Sequence, residues 1–200
     1  MSHNHSKLFN IIAPIYALFY NFQVNYYENT LEKVKDEIDI KEYKTVLDIG
    51  CGTGALCYVL YKNGLKVTGV DVAEKMVEKS REKLRGKDIK IIKINPEDDL
   101  PFEDNSFDIV ISSYVAHGLK PDRRIGLYKE ASRVAKEKVI FHDYNENRAL
   151  LTTIIEWLER GDYFNFIKMA ETEMKEHFKT VKVVDVYKRA AWYILEPYKD

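Results

Sequence analysis

Val46-Leu47-Asp48-Ile49-Gly50-Cys51-Gly52-Thr53-Gly54 is the stretch whose reading decides the fold. An apolar run carrying one acid enters a loop with three glycines, and a helical pattern begins at Ala55. Glycines at the turn from strand to helix let the backbone approach a ligand that a Cβ would push away. A second strand, Lys66-Val67-Thr68-Gly69-Val70, closes on Asp71, 21 residues after Gly50. Nucleoside-binding βαβ units carry a carboxylate there for the ribose hydroxyls. The plainer alternatives are a tight turn without a ligand for the glycines and a helix N-cap for Asp71.

Outward from this unit, strands and helices alternate. Strand 45–49 leads to helix 54–62, and strand 66–70 leads to helix 73–85. Ala73, Met76, Val77, Ser80 and Leu84 form the sheet-facing side of that second helix. Strands 89–94 and 107–112, helix 122–135 and strand 138–142 follow. Such alternation predicts a parallel sheet with helices on both faces. Short apolar runs such as Phe107-Asp108-Ile109-Val110-Ile111 suit strands buried on both sides. Upstream, Tyr27, Leu31, Val34 and Ile38 make one helical face, and Pro14 interrupts the aromatic-rich residues 6–24. Residues 146–178 read as two helices broken at Gly161-Asp162. Strands 181–187 and 190–196 are joined by a turn too short for a parallel crossover, so they form an antiparallel hairpin. The expected fold class is α/β: a Rossmann-like, seven-stranded, mostly parallel sheet ending in that hairpin. It is read as one domain over 1–200, with an N-terminal helical lid (1–40), a βαβ core (45–142), a helical cap (146–178) and the hairpin (181–196).

The bulk numbers restrict function. Two hundred residues, 46% of them apolar, suffice for a sizeable core. Thirty-one basic and 32 acidic residues give a net charge of −1, which offers no basic footprint for nucleic acid. Cys51 and Cys57 are too few for a disulfide framework and, six residues apart across a loop and helix, poorly placed to bridge. No apolar run approaches the roughly 18 residues of a membrane span. The opening Met1-Ser2-His3-Asn4-His5 lacks the pattern of a signal peptide, so a reducing cytoplasm is expected. His3 and His5 do not define a coordination geometry, and no metal is expected.

A third element, Leu100-Pro101-Phe102-Glu103-Asp104-Asn105-Ser106-Phe107-Asp108, selects among nucleoside-binding units. With the glycine loop and Asp71 it resembles the class I S-adenosylmethionine (SAM)-dependent methyltransferases. Asn10-Ile11-Ile12-Ala13-Pro14-Ile15-Tyr16 further resembles the IAPxYD opening of quinone-biosynthesis C-methyltransferases, with Ala17 replacing the aspartate. The resemblance implies SAM as cofactor and S-adenosylhomocysteine (SAH) as product. It puts Gly50, Cys51 and Gly52 along the cofactor, Asp48 near its methionine amino group, Asp71 on the ribose and Val72 on the adenine face. The family's usual adenine-reading acid falls at Pro96, or at Asn95 if one residue is inserted. Asn95, through its amide oxygen, and Glu97 are taken as the adenine edge. Ser112 is assigned to the methionine part, Tyr16 to a lid over the cofactor, and Tyr114 and His117 to the reaction centre. His117 and His142 are the candidate bases, with His142-Asp143-Tyr144 at a strand end where α/β sheets bind ligands. A satisfied helix-end histidine is the alternative for His117, and a helix cap for Asp143 or Asn145. Cys51 reads as a small packing side chain rather than a nucleophile.

The acceptor is expected to be a small molecule, enclosed by Trp157, Tyr163, Phe164, Phe166 and the N-terminal aromatics. The alternative is that these aromatics only pack helices onto the sheet, and that Tyr16, Phe19 and Tyr20 cluster. Rival functions are a SAM-binding sensor without catalysis, methylation of RNA or protein, and an NAD-dependent oxidoreductase. The glycine loop also fits the last, but the terminal hairpin argues against it.

Overall fold

The computed structural model describes residue 13 and residues 17–147 and 162–199. Seven strands form one sheet: β1 (Thr45–Ile49), β2 (Lys66–Asp71), β3 (Ile89–Lys93), β4 (Phe107–Ser113), β5 (Ala135–Tyr144), β6 (Thr180–Tyr187) and β7 (Ala190–Glu196). Their order is β3-β2-β1-β4-β5-β7-β6. β1 with β2, β2 with β3, and β4 with β5 pair in parallel; β7 runs antiparallel to both β5 and β6. The expected mixed sheet with a terminal hairpin is therefore present. Its end strands carry the charges that discourage edge-to-edge pairing: Lys90 and Lys93 on β3, Lys182 and Asp185 on β6.

The chain divides into two compact units, Met1–Pro101 and Phe102–Asp200. In the first, α1 (Tyr20–Val34), α2 (Ala55–Lys62) and α3 (Glu74–Lys83) accompany β1, β2 and β3. α1 buries Tyr20, Val24, Leu31 and Val34, close to the predicted face. α3 is shorter than the 73–85 predicted. Ala73 is held extended (φ −90°, ψ 114°) while its N–H donates to Asp71 Oδ1, so helical geometry begins one residue later. Met76, Val77 and Ser80 then turn inward as expected. The alternative cluster of Tyr16, Phe19 and Tyr20 is only partly within the described residues. Tyr20 is buried, but Leu18, Phe19 and Phe22 are exposed. Tyr16 lies outside the described residues.

In the second unit, α4 (Pro121–Val134) and α5 (Tyr163–His177) accompany β4, β5, β6 and β7. α4 starts with proline at its first turn, where a missing N–H leaves no helical bond unmade. β5 is longer than the 138–142 predicted, because β4 pairs with it from Ala135 and β7 pairs with it through Tyr144. No local pattern signals that long-range ladder. α5 is the second of the two helices expected in 146–178; the first, with Trp157, lies outside the described residues. Tyr163 and Phe166 are fully buried, so these two pack α5 onto its unit.

Candidate functional site

In the first unit, the loop from β1 to α2 is folded by its glycines and by one carboxylate. Gly50, Gly52 and Gly54 have φ of 78°, 53° and 81°, a region that L side chains rarely adopt. Asp71, at the end of β2, accepts the Gly52 N–H on Oδ2 at 2.9 Å and the Ala73 N–H on Oδ1 at 2.8 Å. It therefore joins the glycine loop to the start of α3 and partly fulfils the capping role considered above. Burial raises its pKa, against the lowering effect of backbone N–H groups from Ala73, Gly52 and Val72. Each carboxylate oxygen has two lone pairs, so these contacts are compatible with further donors such as ribose hydroxyls.

Asp48 is the other acid of this unit, at 1% exposure. Its Oδ2 accepts the Cys57 thiol at 3.2 Å, while Oδ1 has no hydrogen-bond partner. Burial pushes its pKa up to about 7; the Cys57 hydrogen bond opposes this and the charge of Asp71 adds to it. A buried carboxyl with an unanswered oxygen is costly unless a donor or cation meets it. The methionine ammonium of SAM is such a group, and the glycine loop beside it has the open backbone that a nucleoside ligand needs. These residues fit the cofactor.

Cys51 and Cys57 are buried, free thiols. The mutual hydrogen bond lowers the Cys51 pKa and raises that of Cys57; burial raises both, and both end above their ordinary value. They are packing groups, as expected for Cys51. Gly69, across the ladder from Asp48, makes room for them. A Cβ there would lie 2.8 Å from Cys57 Sγ and 3.0 Å from Cys51 Cβ. Cys57 and Gly69 were not singled out from sequence. The i,i+9 relation of Asp48 and Cys57 was visible but carried no signal.

Val72 is half-buried beside Asp71. Asn95 and Glu97 are exposed in a turn, where the Asn95 side-chain amide donates to Asp98 at 2.8 Å. That bond uses the nitrogen end, in keeping with the oxygen end as the acceptor for an adenine amino group.

The second unit gathers the remaining candidates. Ser112 and Ser113 end β4, with Ser112 2% exposed, and they pair in register with Phe141 and His142 of β5. Ser113 Oγ is 3.3 Å from His142 Nδ1. Burial drives the His142 pKa down to about 4 against the opposing charge of Asp143, so this imidazole is neutral at neutral pH. Tyr114 follows with φ 54°, an outlier for a bulky residue and a strain of about 1–2 kcal/mol. Its N–H donates to the His142 carbonyl at 2.8 Å. Its ring lies 4.9 Å from His142 and 5.2 Å from Tyr144, centre to centre.

His117 sits in a short 3-10 turn, Ala116–Gly118. Its ring is 4.8 Å from Tyr144 and 6.5 Å from both Tyr163 and Phe166. Asp143 Oδ1 lies 2.7 Å from His117 Nδ1. Thus Tyr114, His117 and His142 come together; Asp143 ties His117 to β5, and the His142 carbonyl ties Tyr114 to it. Asn145 Oδ1 accepts the Asn147 N–H at 3.1 Å; the helix it was considered to cap lies outside the described residues. Among the described residues no His, Cys, Asp or Glu cluster of three or more gathers as a metal site, and no helix is long and apolar enough to cross a membrane.

A mixed sheet of this order, a glycine loop at the end of β1 and an acid at the end of β2 define the class I methyltransferase fold. Residues 47–142 match the family described as "Methyltransferase domain". An uncharacterized methyltransferase of Geobacillus sp. (strain WCH70) is 29% identical over 159 residues, 76% of this chain and 71% of that protein. A ribosomal protein L11 methyltransferase of Thermotoga maritima is 41% identical over 78 residues, 38% of this chain and 29% of its own length. A demethylmenaquinone methyltransferase of Staphylococcus aureus is 36% identical over 112 residues, 52% of this chain and 44% of its own length. The chain thus spans less than half of these last two relatives. A solved protein from Pyrococcus horikoshii OT3 superimposes with a TM-score of 0.69 at 28% identity, covering 84% of this chain and 88% of that one. Residues 47–142 thus form a class I SAM-dependent methyltransferase domain.

Proposed function

We propose that the protein transfers a methyl group from SAM to a small-molecule acceptor by in-line displacement. The observation that carries this reading is the glycine loop with Asp71 bonded to its Gly52 N–H and the buried Asp48 with an unanswered carboxylate oxygen, which fit the cofactor; the acceptor is assigned to Tyr114, His117 and His142. In the cofactor site, Asp71 holds the ribose, Val72 covers the adenine face, and Asn95 and Glu97 meet its edge. Gly50, Cys51 and Gly52 line the cofactor with backbone, Asp48 faces the methionine ammonium and Ser112 the methionine chain. Tyr16 keeps its proposed place in the lid. A bound sulfonium supplies an already activated methyl group, so the protein's work is to orient the acceptor and exclude water. His117 takes the acceptor's proton where one must leave. His142, held neutral, anchors Ser113 and the Tyr114 backbone beside it. The proposal includes a single domain with lid and cap and a cytoplasmic location, in keeping with two free buried thiols. A near-neutral net charge favours a small molecule over RNA.

Thermal unfolding with SAM, SAH and NAD tests the cofactor assignment. SAM and SAH should each raise the midpoint, NAD should not, and Asp71→Asn should abolish the shift while leaving a folded protein. A midpoint unmoved by SAM or SAH, or moved by NAD instead, would sink the proposal.

A further inference from the structure

Cys57 reaches Asp48 through a gap that glycine leaves in the sheet. It lies on α2, fully buried, and its Sγ is 3.2 Å from Asp48 Oδ2 on β1. Gly69 of β2 stands in register with Asp48. A Cβ on Gly69 would lie 2.8 Å from the Cys57 sulfur and 2.8 Å from Ile91 Cδ1, so a larger residue there would push the thiol aside. Protons can be counted along this row of groups. The hydrogen bond to Cys51, burial and the charge of Asp48 push the Cys57 thiol well above its ordinary value, so it keeps its hydrogen at neutral pH. An ionised carboxylate only accepts, so the single S–H of Cys57 donates to Oδ2. The Cys51 thiol, in the glycine loop, then donates to the Cys57 sulfur. Asp48 Oδ1 has no hydrogen-bond partner among the described residues. The last torsion of an aspartate is broad, and a donor on one oxygen fixes where the other points.

We infer that Cys57 is a positioning residue for the cofactor: its S–H holds one oxygen of Asp48 so that the other is presented to the methionine ammonium of SAM. This rests on the reading above that Asp48 faces that ammonium. Cys57 acts through the acid, and what it helps to select is the charged amino group rather than the nucleoside. Charge is affected along with direction. A donor to the ionised form favours that form. The Cys57 bond therefore opposes the burial and the Asp71 charge that push the Asp48 pKa up to about 7, and it keeps more of Asp48 ionised at neutral pH. The other titratable groups around this pair are Cys51 in the loop, Asp71 at the end of β2 and Tyr20 on α1, whose phenol is pushed up to about 12 by burial and by the charges of Tyr58 and Cys57. Substitution of Cys57 leaves all three in place.

The test compares SAH with 5′-methylthioadenosine, which keeps the nucleoside and lacks the amino acid. Binding of each is measured by calorimetry from about pH 5 to 9, a range that brackets the Asp48 titration. Cys57→Ala removes the donor. Cys57→Val removes it while keeping bulk, and takes the place of the alanine variant if that one does not fold. Cys57→Ser keeps a donor. In Cys57→Ala, SAH affinity at neutral pH should fall by about 3–10-fold, with 5′-methylthioadenosine affinity unchanged. The midpoint of the SAH pH profile should move up by about half a pH unit or more, because the ionised carboxylate has lost a donor. Cys57→Val should match the alanine variant, and Cys57→Ser should match wild type. Equal losses for both ligands would reduce Cys57 to packing of the loop and overturn the inference. Unchanged SAH affinity, an unmoved midpoint, or a serine variant as weak as the alanine would overturn it too. Asp48→Asn separates these failures from that of the reading beneath. If it weakens SAH alone, the placing of Asp48 at the ammonium stands whatever the Cys57 variants do. If it binds both ligands as wild type does, that placing falls and the inference falls with it.

Discussion

Asp48 and His142 are both buried, and burial shifts them in opposite senses. Asp48 titrates at about 7 in the folded protein against 3.8 as a free side chain. The folded state therefore binds the extra proton, and stability falls as pH rises through that window. His142 titrates at about 4 against 6.5, so its contribution is complete above 6.5 and is lost as pH falls toward 4. In the ligand-free protein the two slopes oppose each other between roughly pH 4 and 6.5. Asp48→Asn should unmask the histidine, with stability rising by about 3 kcal/mol across that range. His142→Gln should unmask the acid, with stability falling by about 3–4 kcal/mol up to neutrality. Urea unfolding at several pH values measures both, and a flat profile in Asp48→Asn would remove the role given to His142. Ligand binding carries the matching signature. If a cofactor ammonium meets Asp48, SAH affinity should increase as pH rises through about 7 in wild type and stay level in Asp48→Asn. The sequence pointed to Asp48 because the acid precedes a glycine loop. Its unanswered oxygen and its thiol partner appear only once β1, β2 and α2 close around it.

Elements meet through side chains that the sequence places far apart. Arg124, fully buried on α4, donates to both carboxylate oxygens of Glu173 on α5 at 2.6 Å, to Asp162 at 3.1 Å and to the Leu119 carbonyl at 2.8 Å. Arg133, on the same helix, bonds Glu130 and Asp104 at 2.8 Å with its side chain 29% exposed. Arg124→Ala strands two carboxylates and should cost about 3–5 kcal/mol. Arg133→Ala, partly in water, should cost about 1 kcal/mol or less. Denaturant midpoints of the two variants decide this, and equal losses would show that the Arg124 cluster does not hold α4 to α5. Nothing in the residues around Arg124 distinguishes it from Arg133. The separation of 49 positions from Arg124 to Glu173 hides the pairing from any local reading. Periodicity, by contrast, gave the described helices and strands to within a few residues. It failed at β5, where pairing with β7 adds residues at its end, and at α3, where Asp71 holds Ala73 extended.

For the whole molecule, the expected consequence of function is linkage. SAH at 100 times its dissociation constant should stabilise the fold by about 2.7 kcal/mol. For a chain of this size that is a midpoint rise on the order of 5–10 °C, growing with the logarithm of SAH concentration. A shift that does not grow with concentration would mark non-specific binding, and would separate it from occupation of the Asp48–Asp71 site. The sequence by itself determined the alternation of strand and helix, the closing hairpin, the glycine loop and the two strand-end acids. Each is written locally, in apolar period, turn length and the need for positive φ. Only the tertiary structure decided the surroundings of the two imidazoles. His117 and His142 look alike in the chain. One comes to rest against the Asp143 carboxylate, and the other sinks into the sheet beside Ser113 and loses its affinity for a proton. That difference is made by burial and by a carboxylate 26 residues away, and neither exists until the chain has folded.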